Sequence, residues 1–206
     1  VVDVLLGKIN PSGKLPVTVA YGAGQLPMYY SHPNGSAWHV NGMVASIAYM
    51  DSALTPRYPF GFGLSYTKFE YENLTLASKH GSPEKKIICS FTVRNNGEMY
   101  GEETAQVYVR DVSASMVRPN LELLGFCRVP LAAGEHKHVN FDIDPSNFAF
   151  LDVAMRWKIE RGEYELLVGA SSEDIRLRDV YTVDTDLFID GKTRTFYTIG
   201  RVEEWK

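Results

Sequence analysis

From Phe69 onward, apolar and polar residues alternate with a period of two. Phe69 and Tyr71, then Leu74 and Leu76, read as one strand kinked near Asn73. Ile87, Cys89, Phe91 and Val93 alternate with Ile88, Ser90 and Thr92, and Ala105, Val107 and Val109 with Gln106, Tyr108 and Arg110. Val139, Phe141 and Ile143 alternate with His138, Asn140 and Asp142. Shorter runs centre on Lys158, on Leu166 and on Arg176, and residues 121–129 supply a further apolar run. Such alternation places successive side chains on opposite faces of a sheet. Gly81-Ser82-Pro83, Asn95-Asn96-Gly97, Ala133-Gly134-Glu135 and Arg161-Gly162 punctuate the runs as turns. Seven or eight short strands in roughly 115 residues, with no long helix, bury one face each in a two-sheet sandwich of immunoglobulin or fibronectin type III form. A barrel is the other arrangement. Trp157 is the aromatic expected at the centre of the core.

The first third reads differently. Residues 1–66 hold 8 glycines and 6 prolines, against 9 and 4 in the remaining 140 residues, so a boundary falls near residue 66. A short helix from Val1 to about Gly7 and a strand over residues 14–20 are expected, with loop through Tyr29-Tyr30 and His32-Pro33-Asn34-Gly35. Phe60, Phe62, Leu64 and Tyr66 fall at period two and can pack a seam. A compact domain does not normally carry ~40 residues of loop. The segment is therefore expected to lie across a surface supplied by another part of a longer protein. Val1 in place of Met, opening what reads as a mid-domain helix, agrees with a C-terminal piece; a processed form that folds alone is the alternative. In the last stretch, Asp190-Gly191 between Leu187-Phe188-Ile189 and Thr195-Phe196-Tyr197 signals a hairpin, either a ribbon on the sandwich or a docking tail. The division is thus 1–66, 67–183 and 184–206.

Apolar residues make up 45% of the 206 and charged residues 22%, an ordinary globular composition. The net charge of −4 and the lack of a Lys/Arg run argue against a nucleic-acid partner. No run approaches the ~18 apolar residues of a membrane helix. Two cysteines exclude a disulfide framework and a Cys-based zinc cluster. Cys89 reads as a buried free thiol; a bridge to Cys127 requires Cα atoms within ~7 Å.

Candidate chemistry is sparse. His136 and His138 share a strand face at i, i+2, which suits either a metal chelate lacking a third ligand or an exposed sheet edge. Asp142, Glu163, Glu165, Glu173 and Asp174 read as a solvated acidic face. Asp3 and Asp51 are the acids of the loop-rich part with a conceivable site role, and Asp51 equally suits capping of loop backbone. Trp38 and His39, with Tyr49 and Asp51, mark a loop that either stacks on a sugar or packs against a neighbouring domain, and His32 flanks it. Asn34-Gly35-Ser36 and Asn73-Leu74-Thr75 fit the glycosylation sequon.

Three blocks resemble, in order, the family 3 glycoside hydrolases of the β-glucosidase and β-xylosidase group. They are Asn10-Pro11-Ser12-Gly13-Lys14-Leu15-Pro16, Gln25-Leu26-Pro27-Met28-Tyr29-Tyr30 and Tyr58-Pro59-Phe60-Gly61-Phe62-Gly63-Leu64-Ser65-Tyr66-Thr67-Lys68-Phe69. The last is similar to that family's junction between its second and third domains. Val93-Arg94-Asn95-Asn96-Gly97, Gln106-Val107-Tyr108-Val109, Arg118-Pro119, Leu123-Leu124-Gly125-Phe126, Gly134-Glu135 and Gly162-Glu163-Tyr164 then resemble its fibronectin-type-III-like module. The resemblance covers residues 1–180. Ala48 stands where members often carry Arg, Arg57 where an apolar residue is common, and the tail past Val183 lies outside it, which leaves subfamily and substrate preference open.

The resemblance implies a mainly β chain, in which a loop-rich end of an α/β sandwich domain precedes an immunoglobulin/fibronectin type III-like β-sandwich. It implies a retaining enzyme acting on terminal β-D-glucosyl or related residues without a cofactor, secreted or periplasmic. Retention uses two carboxylates about 5–5.5 Å apart. In the family these are an Asp in an N-terminal (β/α)₈ barrel and a Glu in the second domain, both preceding Val1, so no catalytic, cofactor or metal residue is assigned here. The partners implied are the upstream catalytic domains and a β-glucoside or related oligosaccharide substrate, with no nucleic acid and no membrane, and this part braces the catalytic domains. The alternative is a stand-alone sandwich that binds carbohydrate or protein.

Overall fold

A computed structural model describes residues 1–33, 35–36 and 53–203. The expected helix forms as one turn, α1 (Val2–Leu5). Twelve strands follow: β1 (Phe69–Leu76), β2 (His80–Gly81), β3 (Ile87–Asn95), β4 (Gly101–Asp111), β5 (Glu122–Leu131), β6 (His136–Ile143), β7 (Phe150–Leu151), β8 (Trp157–Ile159), β9 (Gly162–Gly169), β10 (Ile175–Val183), β11 (Leu187–Ile189) and β12 (Thr198–Glu203). Nine of them hydrogen-bond in the order β1-β3-β6-β12-β5-β4-β9-β10-β2, and β11-β8-β7 form a small side sheet. The long sheet curls over on itself into a fibronectin-type-III-like sandwich. At its open side β1 meets β10, where Arg176 Nη1 donates to the Phe69 carbonyl at 2.5 Å and the guanidinium lies 4.9 Å from the Tyr71 ring.

The period-two pattern is what fills the core. Phe91, Val93, Ala105, Val107, Val129, Val139, Phe141 and Leu166 point inward and are buried. Tyr71, Phe91 and Phe141 stack in series, with centroids 6.2 and 6.1 Å apart. Burial of the Tyr71 phenol, with Glu103 beside it, holds its pKa well above the ordinary range. The kink read at Asn73 is a β-bulge, in which Asn73 takes φ 57° and the register to β3 shifts between Glu72 and Thr75.

Several expectations are corrected. Residues 184–203 make no hairpin: Leu187–Ile189 pairs with β8, and Thr198–Glu203 runs through the main sheet between β6 and β5. The last strand is parallel to β5 at Thr198 and Ile199, then antiparallel to β6 from Gly200, and so joins the two halves of the sandwich. Gly125 makes this approach feasible, because a Cβ there would overlap the Thr198 carbonyl. Trp157 is not central. It lies half-buried in the side sheet, packed on the margin of the core under the Arg194 guanidinium at 4.4 Å. Its strand is three residues long and has no place in the main ladder. His136 and His138 are not on a sheet edge, since β6 pairs with β3 on one side and β12 on the other. His138 Nδ1 is 3.1 Å from Thr92 Oγ1. Cys89 and Cys127 are both buried free thiols, and burial pushes Cys89 up to about 12.

Residues 14–20 do not form a strand. Leu15 N–H donates to Phe62 O and Gly61 N–H to Leu15 O, both at 2.8 Å, but Pro16 has no N–H to continue a ladder. Contact resumes as a single bridge between Val19 and Tyr58.

Candidate functional site

The described part of the loop-rich segment lies on this chain's own sandwich. That differs from the expectation that another part of the protein would supply its whole support. It covers the outward face of β4, which is why this strand is buried on both sides over residues 103–109. Outward-facing Tyr108, with Leu121 and Leu167, forms a second apolar cluster against Tyr30 and Phe60. The Tyr30 and Phe60 rings stack at 4.2 Å, and Tyr30 Oη accepts from Leu123 N–H at 3.2 Å.

The seam is fixed by the residues that make up the motifs. Gln106 Nε2 donates to Gly61 O at 3.1 Å and to Ala170 O at 2.7 Å, while its Oε1 accepts from Tyr108 Oη–H at 2.5 Å. Ser172 N–H donates to Phe60 O at 3.0 Å, and Asn120 N–H to His32 O at 2.7 Å. Asn10 Oδ1 accepts from Tyr66 N–H at 2.7 Å and Ser65 Oγ–H at 3.1 Å, tying the first block to the third. Asn95 is fully buried; its Oδ1 accepts from Thr67 Oγ–H at 2.5 Å and Gly97 N–H at 3.1 Å, and its Nδ2 donates to Met99 O and Leu131 O. Full satisfaction of a buried amide is the physical content of the Asn-Asn-Gly signature, whereas Asn10 of Asn-Pro-Ser-Gly pairs through Oδ1 and leaves its buried Nδ2 without a partner.

The period-two seam over residues 60–66 is only half realised. Phe60 packs inward and Phe62 stacks on Tyr58 at 5.1 Å, but Leu64 and Tyr66 are exposed. Gly61 sits at φ 79° and breaks the alternation. Arg57 spans Tyr21 and Tyr58, 6.0 and 5.7 Å from their ring centres, so the unusual cation serves local stacking.

A buried ion pair crosses the seam. Lys14 Nζ is 3.0 Å from Glu103 Oε1, with side-chain exposures of 15% and 6%, and Tyr71 Oη–H donates to the same oxygen at 3.0 Å. Glu103→Gln keeps the shape and one acceptor but strands the Lys14 cation. It is expected to cost about 2–3 kcal/mol, recovered in large part by a second change, Lys14→Met. Urea unfolding of the two single variants and the double variant measures this coupling; simple additivity would show that the pair does not hold the seam.

Among the described residues the other side of the segment is bare. Val2, Leu5, Leu6, Ile9, Val17 and Leu64 are all exposed, and a hollow of about 550 Å³ opens between Leu15, Val19, Tyr58, Phe62 and Leu64. Contiguous exposed apolar patches are uncommon on lone soluble domains and typically mark interaction sites.

Three of the five acids read as a solvated face are ion-paired. Asp142 pairs with Arg201, Glu165 with Arg110 at 3.2 Å and Asp174 with Arg176 at 2.8 Å. Asp3 is exposed and lies 3.8 Å from Lys8. Asp111, which sequence reasoning did not single out, is the unusual carboxyl. Burial raises its pKa, with Ser113 N–H and Arg118 opposing, and its Oδ2 has no hydrogen-bond partner. Only tertiary burial marks it. His32 is buried, with Nδ1 3.2 Å from Ser36 Oγ. Trp38, His39, Tyr49, Asp51 and Asn34 lie outside the described residues, and the second sequon residue, Asn73, is exposed. Among the described residues no three His, Cys, Asp or Glu side chains gather as a metal-ion cluster, and no helix is long and apolar enough to cross a membrane.

Residues 1–66 match the glycosyl hydrolase family 3 C-terminal domain, and residues 103–172 match the fibronectin type III-like domain. The chain belongs to glycoside hydrolase family 3. Within that family it is 38% identical over 206 residues to thermostable beta-glucosidase B of Acetivibrio thermocellus, covering 98% of this chain and 27% of that protein. It is 39% identical over 178 residues to the periplasmic beta-glucosidase of Salmonella typhimurium, covering 85% of this chain and 23% of the relative. The solved beta-glucosidase of Listeria innocua in complex with glucose superposes with a TM-score of 0.81 at 35% identity, over 88% of this chain and 25% of its own. The chain thus spans about a quarter of the length of these family 3 relatives and corresponds to their C-terminal region, in proteins that also carry upstream domains.

Proposed function

We propose that this chain is the non-catalytic C-terminal part of a retaining β-glucosidase-like enzyme and that it braces the catalytic domains of its parent. The observation that carries this reading is the two-sided segment over residues 1–66. One described face is locked onto the sandwich by Gln106, by the Ser172 N–H on Phe60 O and by the Lys14–Glu103 pair, and the other presents bare apolar side chains. The division near residue 66 between segment and sandwich belongs to the same proposal, as do the β-glucoside substrate and the placement of both reacting carboxylates upstream of Val1. The bond-breaking chemistry then occurs in the barrel and the second domain, while this chain supplies rigidity.

The test is direct. Residues 1–206 incubated with an aryl β-glucoside should show no turnover above background, while the full-length parent hydrolyses it. Turnover by 1–206 that disappears on Asp111→Asn or Asp51→Asn would overturn the proposal.

A further inference from the structure

We infer that Asp111 is a proton-operated latch on the loop between β4 and β5, residues 112–121. Protonated, it lets that loop pack firmly and hold the loop-rich segment; ionised, it loosens the hold. The latch does not depend on the bracing role.

Asp111 ends β4, in register with Tyr164 of β9. Its Oδ1 accepts from Ser113 N–H at 3.2 Å, while its Oδ2 is buried and unpartnered. The nearby cation is committed elsewhere. Arg118 Nη2 donates to Glu122 Oε2 at 2.6 Å, the guanidinium lies 4.9 Å from the Phe150 ring, and its Nε is itself buried without a partner.

The remaining charges around the site do not favour an anion there. Glu122 on β5 and Glu160 between β8 and β9 act on Asp111 as like charges. Glu160 Oε1 is 2.8 Å from Lys158 Nζ, and its Oε2 accepts from Ser115 N–H at 2.8 Å. Tyr164 Oη–H donates to the Glu160 carbonyl at 2.9 Å, and Arg194 lies within electrostatic reach of Glu122 and Arg118.

A carboxylate oxygen that is buried and unbonded is costly when charged, and opening the loop hydrates it. Burial is accordingly the leading cause that raises the Asp111 pKa. The folded value then lies above the unfolded one. Its contribution to stability is full below the ordinary Asp value of about 3.9 and is lost as pH rises through the folded value.

The same loop reaches the segment. Asn120 N–H donates to His32 O at 2.7 Å, and Pro119 bridges Pro33. Arg110, beside Asp111, donates through Nε to Asn120 O at 2.9 Å. Loosening at Asp111 is therefore passed to residues 32 and 33.

The experiment uses the 206-residue chain. Carbon-13 NMR follows the Asp111 carboxyl, while amide exchange, corrected for its intrinsic pH dependence, follows Ser113, Ser115 and Asn120. The carboxyl midpoint should lie above about 3.9, and protection of the three amides should fall about tenfold for each unit of that excess as pH rises through it. Asp111→Asn should abolish the fall. A fall that survives this variant belongs to His32, across the Asn120 contact, and overturns the inference. Removal of the opposing cation by Arg118→Met should move the midpoint up, and Glu160→Gln should move it down. A midpoint at or below about 3.9, or protection that stays level through the midpoint, also overturns the inference.

Discussion

A chain ended at Val183 should lose its cooperative unfolding transition. Residues 67–183 hold every long alternating run, yet they do not close the sandwich. β12 lies between β6 and β5 and pairs with both, so its removal leaves two internal strands with unpaired backbone groups. Inward-facing Val202 packs on the core, and Thr198 Oγ–H donates to buried Asn147 at 3.0 Å. Loss of β11 also removes half the support of β8 and the cover over Ile159, which is fully buried. Together these losses are expected to exceed about 5 kcal/mol, which is comparable to the whole stability of many domains. Urea titration of residues 1–183 and 1–206, followed by circular dichroism, measures it. A shared midpoint and slope would show that the last strand is an appendage.

The second large effect is expected at Gly61→Val. Gly61 occupies φ 79°, a region costly to any β-branched residue, and a Cβ there would overlap Gln106 Oε1. Gln106 has no free direction in which to withdraw. It is buried, it donates to Gly61 and Ala170, and it accepts from Tyr108, so moving it strands three groups. Backbone strain of about 1–3 kcal/mol and lost buried hydrogen bonds of about 1 kcal/mol each bring the expected cost to about 4–6 kcal/mol. The damage should be local to the seam. Hydrogen exchange should accelerate over residues 10–16 and 58–63 while β3 and β6 keep their protection. Uniform exchange throughout would mean that the seam and the sandwich unfold as one unit. Gln106→Leu should reproduce the local loosening without the strain.

These two positions differ in how visible they are along the chain. The strands β1, β3, β4, β6 and β9 can be read from alternation because each buries one face in a common core, and that burial imposes the period. Asn73 could be read as a kink because a strand interior rarely accepts Asn without a bulge. Gly61, by contrast, looks like one more turn glycine in a Gly-rich block. That its missing Cβ makes room for Gln106, 45 positions later, is a fact about contact rather than about sequence pattern. The same holds for Lys14 and Glu103, which sit in separate segments and read as ordinary surface charges until both are buried together.

Residues 184–203 show the limit most clearly. Asp190-Gly191 is a sound local turn signal, and Lys192 and Thr193 N–H do donate to Asp190 oxygens. The strands on either side nevertheless pair with β8 and with β5 and β6. The sandwich offers each flanking run an open edge, and pairing there satisfies more backbone than the two runs could satisfy in each other. Likewise Trp157, the bulkiest apolar residue in the sandwich's alternating pattern, is set aside because its strand joins the side sheet.

The sequence by itself determined the membership in family 3, the β-sandwich and most of its strands, since alternation and short turn motifs are local consequences of burying one sheet face. Tertiary structure alone decided where the last strand goes, which face of the loop-rich segment is covered, and which charges and glycines bear the seam. Those depend on which distant backbone edges and side chains come within hydrogen-bonding reach, and no local pattern encodes that distance.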